Sequence, residues 1–91
     1  MPHILRESRG ICLQDADYKI YNTTNPAKRI KKLFFDLLID AEFDQKYIGD
    51  VMENVVEDGY FDGEDCYFSN TEAWVDFKDL YSTRVVLTVV D

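Results

Sequence analysis

Carboxylates are the residues of this chain best placed to do chemistry. Among its 91 residues 18 are Asp or Glu, against 10 Lys or Arg. Asp50, Glu53 and Glu57 recur at i, i+3 and i+7, which is one face of a helix. Asp58, Asp62, Glu64 and Asp65 continue the acidity beyond it, and Asp36 and Asp40 stand one turn apart ahead of it. Neighbouring carboxylates on a helix face sit about 5–6 Å apart at Cβ and repel by a few tenths of a kcal/mol per pair. That pitch is comparable with the phosphates of one nucleic-acid strand, whose charges recur each ~3.4 Å of axis. A fixed row of this kind can occupy a site built for phosphates. The competing reading is an ordinary solvated face.

Other chemistries fit less well. An EF-hand loop begun at Asp58 would place Asp62 and Gly63 correctly, but Tyr60 and Ser69 fall where calcium ligands are required. Zinc needs four ligands, and Cys12, Cys66 and the lone His3 offer three with no metal spacing. A nucleophile needs a base beside it, and His3 is the only histidine. No phosphate loop, G-x-G-x-x-G or G-x-S-x-G motif occurs. The expectation is a protein that is not an enzyme and carries no cofactor or metal. The two cysteines read as small buried thiols, with one long-range disulfide as the alternative.

Charge is segregated. Residues 1–35 hold seven basic and three acidic side chains, whereas residues 36–79 hold two basic and fourteen acidic. The formal net charge of −8 therefore conceals a basic first third and a strongly acidic middle. Lys28-Arg29-Ile30-Lys31-Lys32, with Tyr18 and Tyr21 nearby, is the best case for nucleic-acid binding. The field of the remaining surface opposes it. Pairing of the basic stretch with the acidic one on a second copy, a homodimer, fits at least as well.

The elements that must position these groups are short. Length bounds the chain to a single domain, 1–91. No run approaches the about 18 apolar residues of a membrane span, and the N-terminus lacks the apolar stretch of a signal peptide. The expected location is cytoplasmic, or the host cytoplasm if the source is viral. Residues 3–22 read as two or three short strands turning near Gly10 and Asp15-Ala16-Asp17. Asn25 is a cap and Pro26 suits the first helical position. Ile30, Leu33, Phe34, Leu37, Leu38 and Ala41 then keep helical spacing, predicting a helix over 26–41. Phe35 and Ile39 widen its stripe, which predicts cover on more than one side. Asp44 caps a second helix at 45–58, with Ile48, Val51, Met52 and Val55 inward and Gly59 as its left-handed terminator. Cys66-Tyr67-Phe68 reads as a strand. Ser69-Asn70-Thr71-Glu72 resembles a capping box, favouring a third helix through Ala73, Trp74, Phe77, Leu80 and Tyr81. A strand with Ala73, Val75 and Phe77 on one face is the competing reading. Arg84 to Val90 reads as a strand buried on both faces. The sum is a small α+β domain with a helical hairpin.

The first helix carries its charges in an unfavourable order. Lys28, Arg29, Lys31 and Lys32 open it, while Asp36, Asp40 and Glu42 lie near its end. The macrodipole prefers the reverse. Such conflicts occur where something other than stability selects the residue.

In size, acidity and its carboxylate row the chain resembles small DNA-mimic inhibitors, such as phage anti-restriction proteins and uracil-glycosylase inhibitors. It is similar, too, to acidic nuclease-inhibitor and immunity proteins. The resemblance is compositional and supplies no motif. It implies a stoichiometric inhibitor seated on a basic nucleic-acid-binding protein: a nuclease, restriction or repair enzyme. Asp36, Asp40, Asp50, Glu53, Glu57, Asp58, Asp62, Glu64 and Asp65 would then stand for phosphates, with no direct contact to nucleic acid or membrane. Tyr60 and Trp74, if exposed, would add an apolar anchor, although core packing is the expectation for Trp74. The alternative is an acidic adaptor or homodimeric structural subunit.

Overall fold

Two long strands open the chain. β1 (His3–Ile11) and β2 (Gln14–Thr23) pair antiparallel from His3↔Thr23 to Ile11↔Gln14. A computed structural model describes residues 3–11, 14–55, 59–61, 64–78 and 83–90. The turns expected at Gly10 and at 15–17 are not turns. Both segments lie inside strands, with Gly10 opposite Arg84 and Asp17 opposite Arg9. The register shifts between Arg9 and Ile11, so the turn-prone residues produce an irregularity within the ladder, a common use of glycine in a strand.

α1 (Pro26–Asp40) follows the predicted helix closely. Asn25 Oδ1 accepts the Lys28 N–H at 3.1 Å, and Pro26 fills the first turn. Its C-terminus is a Schellman motif. The Glu42 N–H donates to the Ile39 carbonyl at 3.0 Å and the Phe43 N–H to the Leu38 carbonyl at 3.2 Å. Glu42 takes the left-handed position, φ 61°, where glycine is preferred. α2 (Gln45–Asn54) is capped by Asp44, whose Oδ1 accepts the Lys46 N–H at 2.8 Å. It is shorter than the expected 45–58. Asn54 Nδ2 donates to the Asp50 carbonyl at 2.8 Å, and Val55 turns into the core. Gly59 is left-handed, φ 92°, but it does not end α2.

The rest is a meander: β3 (Tyr60–Phe61), β4 (Cys66–Phe68), β5 (Glu72–Phe77) and β6 (Thr83–Val89). Each pairs antiparallel with the next, and β6 closes against β1. The sheet order is β2-β1-β6-β5-β4-β3. The third helix favoured for 72–81 is corrected to β5, which has the competing strand register with Ala73 and Val75 buried. Residues 79–82 lie outside the described ones. The cap-like serine serves a hairpin instead. Ser69 Oγ accepts the Glu72 N–H at 3.1 Å, while the Ser69 N–H donates to the Glu72 carbonyl at 2.8 Å.

Both helices lie on one face of the sheet, α1 across β5, β1 and β6 with α2 beside it. Leu5, Val85, Leu87, Ala73, Val75, Cys66 and Phe68 meet Ile30, Phe34, Leu37, Leu38, Ile48, Val51 and Val55 there. Phe34 and Phe68 pack with ring centroids 5.2 Å apart. This is an α+β fold of two layers. Alternation sends Arg84, Val86 and Thr88 to the opposite face, where they are only half-buried. β6 is therefore not buried on both faces as expected: its other side carries no layer among the described residues. Among those residues no helix is long and apolar enough to cross a membrane.

Candidate functional site: the outer helical surface

The helices present four of the nine candidate carboxylates. Asp36 and Asp40 are exposed on α1, Asp50 and Glu53 are exposed on α2, and Glu64 is exposed ahead of β4. Among the described residues none of these five forms an ion pair. Asp65 differs. It is half-buried, its side chain takes Lys78 Nζ at 2.9 Å, and its carbonyl accepts the Asp76 N–H at 2.8 Å. It holds β4 to β5 and is withdrawn from the candidate set for that reason. Glu57, Asp58 and Asp62 lie outside the described residues, as does the rest of the EF-hand-like loop up to Gly63, apart from 59–61. Of the expected three-residue row, the described α2 carries Asp50 and Glu53.

The carboxylates do not form one stripe. Each residue advances 100° around a helix, so Asp36 and Asp40 lie 100° beyond Phe35 and Ile39. Those two apolar residues face outward, 37 % and 49 % exposed. The cover expected over them is not supplied by any other element among the described residues. They line a groove of about 440 Å³ with Phe43, Ile48, Gly49 and Met52. Gly49 leaves open space where a side chain would stand. Asp36, Asp40, Asp50 and Glu53 each follow a groove-lining residue in sequence, and none of them lines the groove itself.

The basic cluster is divided. Arg29 stacks on the Tyr21 ring at 5.0 Å from its centroid, a cation–π contact. Lys28 and Lys32 are exposed on the outer arc of α1, and Lys31 is half-buried. Beneath Arg29, the Tyr21 hydroxyl donates to Glu7 Oε1 at 3.4 Å. Glu7 is the buried charged residue of the described set. Burial, then the Glu7 carboxylate, raise the Tyr21 pKa above its ordinary value.

The anchors proposed from sequence are placed elsewhere. Tyr60 is half-buried, with its hydroxyl 3.2 Å from that of Tyr47. Trp74 is not in the core. It lies half-buried on the open sheet face under the Arg84 guanidinium, 4.0 Å from the ring centroid. Arg84 is held there by a bidentate pair with Asp76, in which Nη2 donates to Oδ2 at 2.9 Å. That contact raises the Arg84 pKa further.

Two features of the site were not anticipated. Glu42 holds an exposed carboxylate on strained backbone between the helices. Phe35, Ile39, Gly49 and Met52 form the groove. Its only sequence signal was the pair of apolar residues beside the main stripe. Among the described residues no three His, Cys, Asp or Glu side chains converge on a metal position. Cys66 is a buried thiol, and Cys12 lies outside the described residues. Compared with protein-family models, curated proteins and solved structures, the chain matches none.

Proposed function

We propose that the protein is a non-enzymatic acidic inhibitor that mimics nucleic acid and occupies the binding site of a basic cytoplasmic partner, a nuclease, restriction or repair enzyme. The observation that carries this reading is that Asp36, Asp40, Asp50, Glu53 and Glu64 are all exposed and free of ion pairs among the described residues. Opposite charges were available to neutralise them, since Lys28, Lys32 and Lys46 are exposed as well. Carboxylates on rigid helices keep their spacing without an ordering cost at association. Steering by such a field raises the on-rate and fades as salt increases. A second reading, an adaptor docking through apolar contact, is favoured by the exposed Phe35 and Ile39.

The test separates the two. Tagged protein is incubated with cell lysate, with and without excess duplex DNA, and the bound proteins are identified by mass spectrometry. The mimic reading expects nucleic-acid enzymes that DNA displaces. Asp50→Asn, Glu53→Gln and Glu64→Gln together should then weaken capture about tenfold or more while leaving the fold intact, because all three side chains are exposed. Retention indifferent to DNA, or an unaffected triple variant, would refute it.

A further inference from the structure

We propose that the outer face of α1 is the interface of a two-fold symmetric homodimer, in which α1 packs antiparallel against α1 of a second copy. This goes beyond the proposed function: it takes Asp36 and Asp40 from the carboxylates of that reading and adds Lys28, Lys32, Phe35 and Ile39.

The exposed arc of α1 reads Lys28, Lys32, Phe35 and Ile39, at spacings of four, three and four. That is the spacing a helix-pair seam requires, with its apolar positions in the C-terminal half and lysines in the N-terminal half. Lys28 and Ile39 are symmetric about the same point of the helix as Lys32 and Phe35. One antiparallel register therefore lays the Lys32 stem over Phe35 of the second copy and the Lys28 stem over its Ile39. Lysine stems cover apolar surface in this way while the ammonium reaches outward. The heads then arrive at the next residues of the second copy, Asp36 and Asp40. Symmetry doubles every contact, giving four ion pairs around a closed apolar strip.

Charge complementarity selects a second copy over other occupants. A basic peptide would be repelled by Lys28 and Lys32, and an acidic one by Asp36 and Asp40. Only a surface with bases and acids in the same order, reversed in direction, satisfies both. The antiparallel arrangement also sets the lysines of each α1 beside the C-terminal half of the other and its aspartates beside the N-terminal half, the placement the macrodipole favours. The groove beside Phe35 and Ile39 has room for the approach. Gly49 at its floor has a negative-φ helical backbone and meets no atom within 4 Å that would exclude a side chain. The dimer engages Asp36 and Asp40 and leaves Asp50, Glu53 and Glu64 for the partner protein.

Sedimentation equilibrium on the full chain tests this without any nucleic-acid enzyme, so its failure is distinct from that of the mimic reading. The expected mass at micromolar concentration is twice 10.7 kDa. Lys28→Glu with Lys32→Glu should give a monomer, and so should Asp36→Lys with Asp40→Lys, each weakening association at least about 100-fold. Circular dichroism checks that both remain folded. An equimolar mixture of the two variants should recover the doubled mass, because every pair is again opposite in sign. A monomeric wild type, variants that dimerise undiminished, or folded variants that stay apart on mixing would each overturn the proposal.

Discussion

Exchanging the charges at the two ends of α1, Lys28→Glu with Asp40→Lys, should stabilise the isolated protomer. Lys28 is the third residue of the helix and Asp40 the last, and both are exposed. Each opposes the macrodipole, which favours the opposite charge by about 0.3–1 kcal/mol at an exposed end. Reversal removes one unfavourable contribution and adds a favourable one at each site. Taken at the lower end of that range, these contributions come to about 1 kcal/mol for the two sites together. The exchange acts on neighbours too. Lys28 and Lys32 are a like pair at i, i+4, as are Asp36 and Asp40. Both become acid-before-base pairs, the better order, for about 1 kcal/mol more in total. No capping-box bond is counted, because the Asn25 N–H is already taken by Thr23 Oγ1 at 3.2 Å. The sum is about 2 kcal/mol, or roughly 8–16 °C in Tm for a domain of this size. The assay is urea and thermal unfolding at low salt, diluted until stability no longer depends on protein concentration, since association would add its own contribution. In about 1 M salt the gain should largely disappear, as the screening length there is about 3 Å. A variant no more stable than wild type at low salt would refute the argument that stability did not choose these charges.

Two further outcomes follow from single residues. Glu42→Gly should raise stability by about 0.5–1 kcal/mol in urea unfolding, because glycine adopts the left-handed position without the Cβ clash that glutamate bears; a less stable variant would show that the φ of 61° carries no strain. Tyr21→Phe tests the partly buried pair with Glu7. The folded Tyr21 pKa is raised, so the neutral phenol is favoured in the fold. Its contribution is constant below the unfolded value of about 10 and declines as pH rises from there through the folded value. Wild type should therefore lose more stability than Tyr21→Phe between pH 7 and about pH 11, and equal losses would contradict the shift.

Much of the architecture was legible wherever one period dominated. α1 has five apolar residues at helical spacing behind an Asn-Pro start, with Ala41 continuing the stripe at its C-cap, and its observed bounds differ by one residue from those expected. β5 was harder for a physical reason. Ala73, Trp74 and Phe77 satisfy a helical period, while Ala73, Val75 and Phe77 satisfy a strand period, and a six-residue window holds both. The serine ahead of them accepts an N–H three residues on in either geometry, so the cap signal carried no discrimination. Pairing decided it, since Ala73, Val75 and Phe77 sit opposite Leu87, Val85 and Thr83 on β6. The end of α2 was misplaced because Gly59 is left-handed yet irrelevant to it. Asn54 closes its own turn, and burial of Val55 redirects the chain.

The candidate surface divides along the same line. Which carboxylates are exposed followed from helix periodicity, and Asp36, Asp40, Asp50 and Glu53 are where that period puts them. What periodicity does not encode is cover. Phe35 and Ile39 are as apolar as the residues beside them, and the second covered side expected of α1 is not formed among the described residues. An apolar pair at a helix surface can be tolerated singly without consequence. Here the pair is spaced one turn apart, bordered by lysines on one side along the helix and aspartates on the other. The same order costs α1 stability as a lone helix. The proposed dimer would account for both departures, because it matches these residues to the reversed copy of themselves. In it the charge order that reads as a fault in one helix would be the specification of a pair.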